Sequence, residues 1–222
     1  MTLRAVLFDA DGVLLDSLSS HLKICEDKAR EYGLALTIPD AAALKQMARK
    51  GVVISPMVRF FRAVGFSPEL AEVAERDYQE TFMKRYAPLP FPGVRNVLEA
   101  LRAMNLRLGI VTANVRANVV AALGDAASLF EHDGIFASDN VPHFSKPRAL
   151  ELAMRALHVA PRDTLYVGDQ RADWSAAEAA GAEFLGVAYG WGLSEEDWEF
   201  PVVRTVQEIP SAVETLARSS SR

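Results

Sequence analysis

The apolar and polar positions of this chain change period twice. "RAVLF" (Arg4–Phe8) is a short run of branched and aromatic residues, the pattern of a buried strand. From about Leu18 to Tyr86 the spacing is helical: Leu18, Leu22, Cys25, Ala29 and Tyr32 fall on one face, and Gly33 is a stop signal. Ser55-Pro56 and Ser67-Pro68 each offer a hydroxyl N-cap followed by proline at the first helical position, and Gly65 can close the helix between them. These signals predict a bundle of about four helices. After the proline-rich "APLPFPGV" (Ala87–Val94) the pattern alternates. Helices are expected from about Val94 to Met104, Val115 to Leu123, Pro147 to Leu157 and Trp174 to Ala180. They precede apolar strands at Leu106–Thr112, Gly134–Ser138, Thr164–Asp169 and Glu183–Gly190 respectively.

Strict alternation with apolar strands predicts an α/β fold, a doubly wound parallel sheet with helices on both faces. The first strand belongs to that sheet, so the helical stretch is an insertion. The expected division is a Rossmann-like core of residues 1–16 and 87–222 and a small helical domain of residues 17–86, with Ala87–Val94 as the hinge.

In such sheets ligands bind beyond the carboxyl ends of the strands. The first strand ends in Asp9, Asp11 and Gly12, the second in Thr112, Ala113 and Asn114. Ser145 and Lys146 come soon after the third, and the fourth ends in Gly168 and Asp169, with Asp173 one helical turn on. Two neighbouring aspartates at the end of a buried strand cost free energy unless a cation, hydrogen bonds or a chemical task compensates. Carboxylates select hard cations, and Mg²⁺ favours one or two carboxylates, waters and a phosphate oxygen. Thr112, Asn114, Lys146 and the amides of the Asp9–Gly12 turn are the groups to hold the phosphate, and Lys146 offsets repulsion between Asp9 and an anionic substrate. An EF-hand reading of Asp9 and Asp11 fails, because the glycine comes too early and the closing glutamate is missing. "GVAYGWG" lacks the third glycine of a dinucleotide loop and reads as a turn after a strand.

Composition narrows the picture further. The 222 residues carry a net charge of −5, which gives no general attraction to nucleic acid or an anionic membrane. No apolar run is long enough to span a bilayer, and the opening residues lack a secretory leader. The single cysteine, Cys25, excludes an internal disulfide and fits a cytoplasmic location. Charge is uneven: residues 17–86 sum to +2 and the remainder to −7. Lys45, Arg49, Lys50, Arg59 and Arg62 form a stretch without acids, either a solvated face or a surface for a small anion. Arg49, Lys50, Arg59 and Arg62 are the candidates for substrate selection.

Four motifs in order, "FDADGVLLDS", "VTAN", "SKP" and "GDQRAD", resemble those of the haloacid dehalogenase-like hydrolase superfamily, in particular its phosphoglycolate phosphatase and β-phosphoglucomutase-like group with an inserted helical cap. The resemblance spans about Leu3 to Leu216, the cap matching in helical character alone. It implies a Mg²⁺-dependent phosphatase acting on a small phosphorylated metabolite. Asp9 would be the nucleophile that becomes an aspartyl-phosphate, and Asp11 the general acid and then base. The metal would be held by Asp9, the main-chain carbonyl of Asp11, Asp169 and Asp173. The phosphate would be held by Gly12, Thr112, Ala113, Asn114 and Lys146. Three positions depart from the common pattern. Val13 stands where many such phosphatases have threonine and mutase-like relatives often have valine. Asn114 follows Thr112 with Ala113 between, and Ala149 replaces a common proline. Two other functions compete, a sugar-phosphate mutase using the same aspartates and a catalytically idle binding or regulatory protein on the same scaffold. The substrate and the oligomeric state are left open.

Overall fold

The computed structural model of the chain describes residues 3–50, 52, 57–193 and 199–219. The chain divides into two compact units, one of residues 1–16 and 89–222 and the other Ser17–Pro88.

In the first unit, β1 (Ala5–Phe8) is followed after the second unit by α5 (Val94–Ala103), β2 (Arg107–Val111), α6 (Arg116–Leu123), β3 (Ile135–Phe136), α7 (Lys146–Ala156), β4 (Thr164–Gly168), α8 (Arg171–Ala180), β5 (Glu183–Val187), β6 (Val202–Val203) and α9 (Ile209–Ser219). The second unit holds α1 (Ser17–Glu31), α2 (Ala41–Arg49), α3 (Met57–Ala63) and α4 (Pro68–Arg85). The sheet is six-stranded in the order β3-β2-β1-β4-β5-β6, and all its pairings are parallel. Alternation along β1 explains the two-sided core. Val6 and Phe8 join Leu108, Ile110, Leu165 and Val167 under α5 and α9. Ala5 and Leu7 join Tyr166, Phe184 and the apolar faces of α7 and α8 on the other side. All four residues of β1 are fully buried, and each large apolar side chain so placed contributes about 1.5–3 kcal/mol. The parallel sheet covered on both faces is the architecture expected from the alternating pattern.

Several boundaries differ from expectation for local reasons. β3 is two residues long, and on its outer edge, away from β2, the Asn140 side chain takes the strand's open groups: its Nδ2 donates to the Ile135 carbonyl at 2.8 Å and its Oδ1 accepts from the Ala137 N–H at 2.7 Å. α8 begins at Arg171, three residues before the expected start. Gln170 is its N-cap, and Asp173, at the third helical position, completes a reciprocal capping box. β6 and α9 carry patterns too short or too late for the alternation to reveal.

The chain leaves and re-enters the first unit through paired segments. The Asp16 N–H donates to the Leu89 carbonyl and the Phe91 N–H to the Leu14 carbonyl, both at 2.9 Å. The proline-rich segment is thus anchored by hydrogen bonds that do not need its own proline nitrogens.

The regular elements described in the second unit are all helices. Ser67 caps α4, its hydroxyl accepting from the Leu70 N–H, and Gly65 (φ +111°) follows α3. The Ser55-Pro56 cap lies outside the described residues. Cys25 is a buried core residue whose thiol burial pushes up. His21 is buried against the rings of Phe60, Tyr78 and Phe82. Its Nδ1 meets the Ser17 carbonyl, which can only accept, so Nδ1 carries the proton and Nε2 accepts from the Tyr78 hydroxyl at 3.2 Å. Burial lowers its pKa from 6.5 to about 4, despite the opposing bond to the Ser17 carbonyl. A neutral imidazole is therefore built into this unit. Below pH 6.5 the unfolded chain takes up a proton that the folded unit refuses, so stability falls as pH drops from 6.5 to about 4. The loss amounts to about 3 kcal/mol. Denaturant unfolding followed by circular dichroism across this range should show the decline in the wild type and a much flatter profile in His21→Phe.

Candidate active site

The parallel sheet brings the functional side chains to one edge. The ladder from β1 runs one residue past the strand: the Asp9 N–H donates to the Val167 carbonyl at 2.9 Å, fixing the side chain at the strand's carboxyl end. Thr112 follows β2 directly, its N–H donating to the Phe136 carbonyl at 3.0 Å, and Asp169 follows β4. β2, β1 and β4 are neighbours, so these three positions stand side by side. Lys146 is the first residue of α7 and Asp173 lies in the first turn of α8.

Lys146 joins the set. Its ammonium donates to Asp9 Oδ2 at 2.6 Å and to Asp173 Oδ1. Asp9 Oδ1 accepts from the Ala10 N–H at 2.8 Å. Asp173 Oδ2 takes the N–H groups of Asp169 at 3.1 Å and Gln170 at 3.0 Å, so this side chain orients Lys146, fastens the β4–α8 turn and caps the helix together. Asp169 Oδ2 accepts from the Trp191 N–H at 2.5 Å, whereas Asp169 Oδ1 is buried with no hydrogen-bond partner. Trp191 lies in the "GVAYGWG" segment, a turn after β5 as expected, whose role in orienting Asp169 no motif had suggested.

Two glycines make room for Asp169. Gly12 sits at φ +79°, and a Cβ there would lie 2.3 Å from Asp169 Oδ2. A Cβ on Gly190 would lie 2.3 Å from Asp169 Cβ and 2.5 Å from the Gly12 carbonyl oxygen. Backbone from two separate loops thus closes directly over one carboxylate, an approach open to glycine alone.

The electrostatics show a shortage of positive charge. Oxygens of Asp9, Asp169 and Asp173 lie within 4.8 Å of one another, all three residues buried. Burial pushes the Asp169 carboxyl well above the usual carboxylate range, and the neighbouring Asp173 and Asp9 charges push it further. Burial also raises Asp173, with Asp9 adding to the effect. Burial alone would depress Lys146, but Asp9 and Asp173 outweigh it and hold the ammonium well above the ordinary lysine value. Three carboxylates facing one ammonium leave a formal deficit of two charges, the charge of one divalent cation. An all-oxygen donor set and the orphaned Asp169 Oδ1 fit a hard cation such as Mg²⁺. Among the described residues this is the one such cluster.

The remaining expected residues divide. Asp11 lies in the turn after β1, where the Ala10 carbonyl accepts from the N–H groups of Leu14 and Leu15 at 2.9 Å. Asn114, expected at the phosphate, gives its side-chain Nδ2 to Asp11 Oδ2 at 2.9 Å. Its main-chain N–H donates to Thr112 Oγ1 at 3.1 Å, which leaves the threonine hydroxyl proton to donate elsewhere. Ala113 between them is exposed. The basic candidates belong to the helical unit, on α2, α3 and just after α2. Lys50, Arg59 and Arg62 are exposed, Arg62 pairs with Glu72 at 3.4 Å, and the Arg49 side chain lies outside the description.

Comparison with known proteins now decides the family. Residues 6–187 match the haloacid dehalogenase-like hydrolase family. The chain belongs to this family. It is 30% identical over 228 residues to phosphoglycolate phosphatase of Synechococcus elongatus, covering 97% of this chain and all of that one. Phosphoglycolate phosphatase of Nitrosospira multiformis is 28% identical, covering 99% and 98% of the two chains. The solved structure of a haloacid dehalogenase-like family hydrolase from Streptococcus pneumoniae shares the fold, with a TM-score of 0.72 at 20% identity over 95% of this chain and 98% of that one. The haloacid dehalogenase-like chain is therefore an enzyme of the hydrolase class. No described helix is long and apolar enough to cross a membrane.

The charge deficit makes a thermodynamic prediction. Mg²⁺ at a hundred times its dissociation constant should raise the unfolding midpoint by about 5–10 °C. In Asp169→Asn the metal-free protein should be more stable than metal-free wild type, because one buried like charge is gone, and the Mg²⁺ response should vanish. Thermal unfolding with and without Mg²⁺ measures both.

Proposed function

We propose that the chain is a Mg²⁺-dependent phosphatase that hydrolyses small phosphate monoesters through an aspartyl-phosphate on Asp9. The observation that carries this reading is the Asp9 carboxylate, held between the Ala10 N–H and the Lys146 ammonium beside two further carboxylates that need a divalent cation. The phosphoglycolate phosphatases to which the chain is similar support it and make 2-phosphoglycolate the first substrate to test.

Asp9, Asp169, the Asp11 main-chain carbonyl and, directly or through water, Asp173 would hold Mg²⁺, which when bound offsets charge on the phosphoryl oxygens. Asp9 attacks as a carboxylate and needs no general base. An Asp9 oxygen forms a bond to phosphorus as the bond to the leaving oxygen breaks, and Asp11 gives its proton to the departing alkoxide. Asp11, now a carboxylate, takes a proton from the water that attacks phosphorus. The P–O bond to Asp9 then breaks, releasing inorganic phosphate and regenerating both aspartates. Thr112 donates its hydroxyl proton, and Ala113 offers its main-chain N–H, to the phosphoryl oxygens, whereas the Gly12 N–H, expected at the phosphate, is taken by the Leu15 carbonyl at 2.9 Å. Lys146 supplies the positive charge that lets a dianion approach Asp9. In the helical domain, Lys50 and Arg59 are exposed cations. Arg62 is partly engaged by Glu72.

Asp9→Asn should lower kcat for 2-phosphoglycolate by roughly 10³-fold or more, since the amide is a poor nucleophile and the residual rate must bypass the covalent step. The assay is release of inorganic phosphate with Mg²⁺ present. Retained activity in this variant, or conversion of a sugar phosphate to its isomer without net phosphate release by the wild type, would contradict the reading.

A further inference from the structure

We infer that Asn114 is a positioning residue for Asp11, holding the acid–base carboxylate in the orientation from which it protonates the leaving group. The inference rests on the acid–base role proposed above for Asp11.

The orientation of the Asn114 amide is fixed by its partners. Its Oδ1 accepts from the Val115 N–H at 2.7 Å, and a main-chain N–H can only donate. The opposite end, Nδ2, is therefore the donor that meets Asp11 Oδ2 at 2.9 Å. A second amide, Asn118 Nδ2, approaches the same Oδ1 at 3.4 Å. The Asn114 backbone is held as well, its N–H on Thr112 Oγ1 and its carbonyl accepting from the Ser138 N–H at 3.1 Å and the Ser138 hydroxyl at 3.0 Å. Main chain and side chain are thus both tied down, and the fixed Nδ2 links the carboxyl end of β2 to the turn after β1.

Such a donor has a consequence for chemistry. Asp11 must change between acid and base within one turnover, whereas an amide N–H donates to its Oδ2 in either state. With Oδ2 kept as an acceptor, the acidic proton belongs on the other oxygen, so the amide selects which oxygen delivers it. A misplacement of about 1 Å in a reacting group can cost about a hundredfold in rate. The departure seen in the sequence, asparagine two residues after the threonine, thus places an amide at Asp11.

Asn114→Asp separates this role from a structural one. The variant keeps an oxygen to accept from the Val115 N–H and replaces the donor facing Asp11 with a second acceptor. Asn114→Ala removes both. The readout is the leaving group: an alkyl phosphate such as 2-phosphoglycolate needs protonation of its departing oxygen, whereas 4-nitrophenyl phosphate expels a stabilised anion and needs it far less. Assays run above neutral pH keep the introduced carboxylate ionised, so that it cannot donate to Asp11. The expected result is a fall in kcat on 2-phosphoglycolate of about 10–100-fold in both variants, little change in KM, and a fall below about threefold on 4-nitrophenyl phosphate. Asp11→Asn should show the same selectivity, more strongly. If Asn114→Asp matches wild type on both substrates while Asn114→Ala is impaired, the amide serves only its own backbone and the inference is overturned. If Asp11→Asn is selective and a folded Asn114→Asp is not, the inference fails and the acid–base reading survives. If Asp11→Asn slows both substrates equally, the acid–base reading fails and the inference with it. Circular dichroism of each variant confirms that it is folded.

Discussion

One ammonium between two buried carboxylates organises the candidate active site at the carboxyl edge of the sheet. Lys146 reaches Asp9 Oδ2 and Asp173 Oδ1 from the start of α7, and so binds together a strand end and a helix start that are far apart in sequence. Removing either carboxylate would leave the ammonium with a single partner, and removing the lysine would leave three acids facing one another. The pair alone does not close the account. Asp169, fully buried and with one oxygen unpartnered, carries the remaining negative charge. In the proposed function that imbalance is the working condition of the site, because it draws in a divalent cation and, through it and Lys146, a phosphoryl group.

The fold supplies the precision this requires. Parallel strands in the order β2-β1-β4 put Thr112, Asp9 and Asp169 at neighbouring strand ends, and the core on both faces of the sheet leaves those strands little freedom. The glycine-lined approach of the Gly12 and Gly190 backbones to Asp169 does the rest, holding the carboxylate where a side chain on either loop would displace it. Asp173 shows how closely structure and chemistry are combined here: one oxygen meets Lys146 while the other accepts two main-chain N–H groups.

Much of this was legible in the sequence because it depends on periodicity and on what ends a strand. The alternating pattern predicts the parallel sheet, and aspartates directly after apolar runs mark its functional edge. The features that escaped are those in which a side chain replaces backbone geometry. Asn140 closes the outer edge of β3 with its side-chain amide, and Gln170 with Asp173 starts α8 early through a capping box. Neither leaves a mark on hydrophobic spacing. Asn114 carries the chemistry of a phosphate ligand, and sequence spacing gives no sign that its amide donates to Asp11. Gly190 read as part of a turn, since close approach to a carboxylate from a distant segment has no local signature.

The central claim is that Lys146 and the cation share one cluster of negative charge. Calorimetric titration of Mg²⁺ into wild type and Lys146→Met, paired with phosphatase assays of both, tests it most directly. Loss of the ammonium should tighten Mg²⁺ binding, because a competing positive charge 2.6 Å from Asp9 is gone, while hydrolysis collapses for want of the charge that admits the substrate. Unchanged Mg²⁺ affinity together with retained hydrolysis in Lys146→Met would contradict the account.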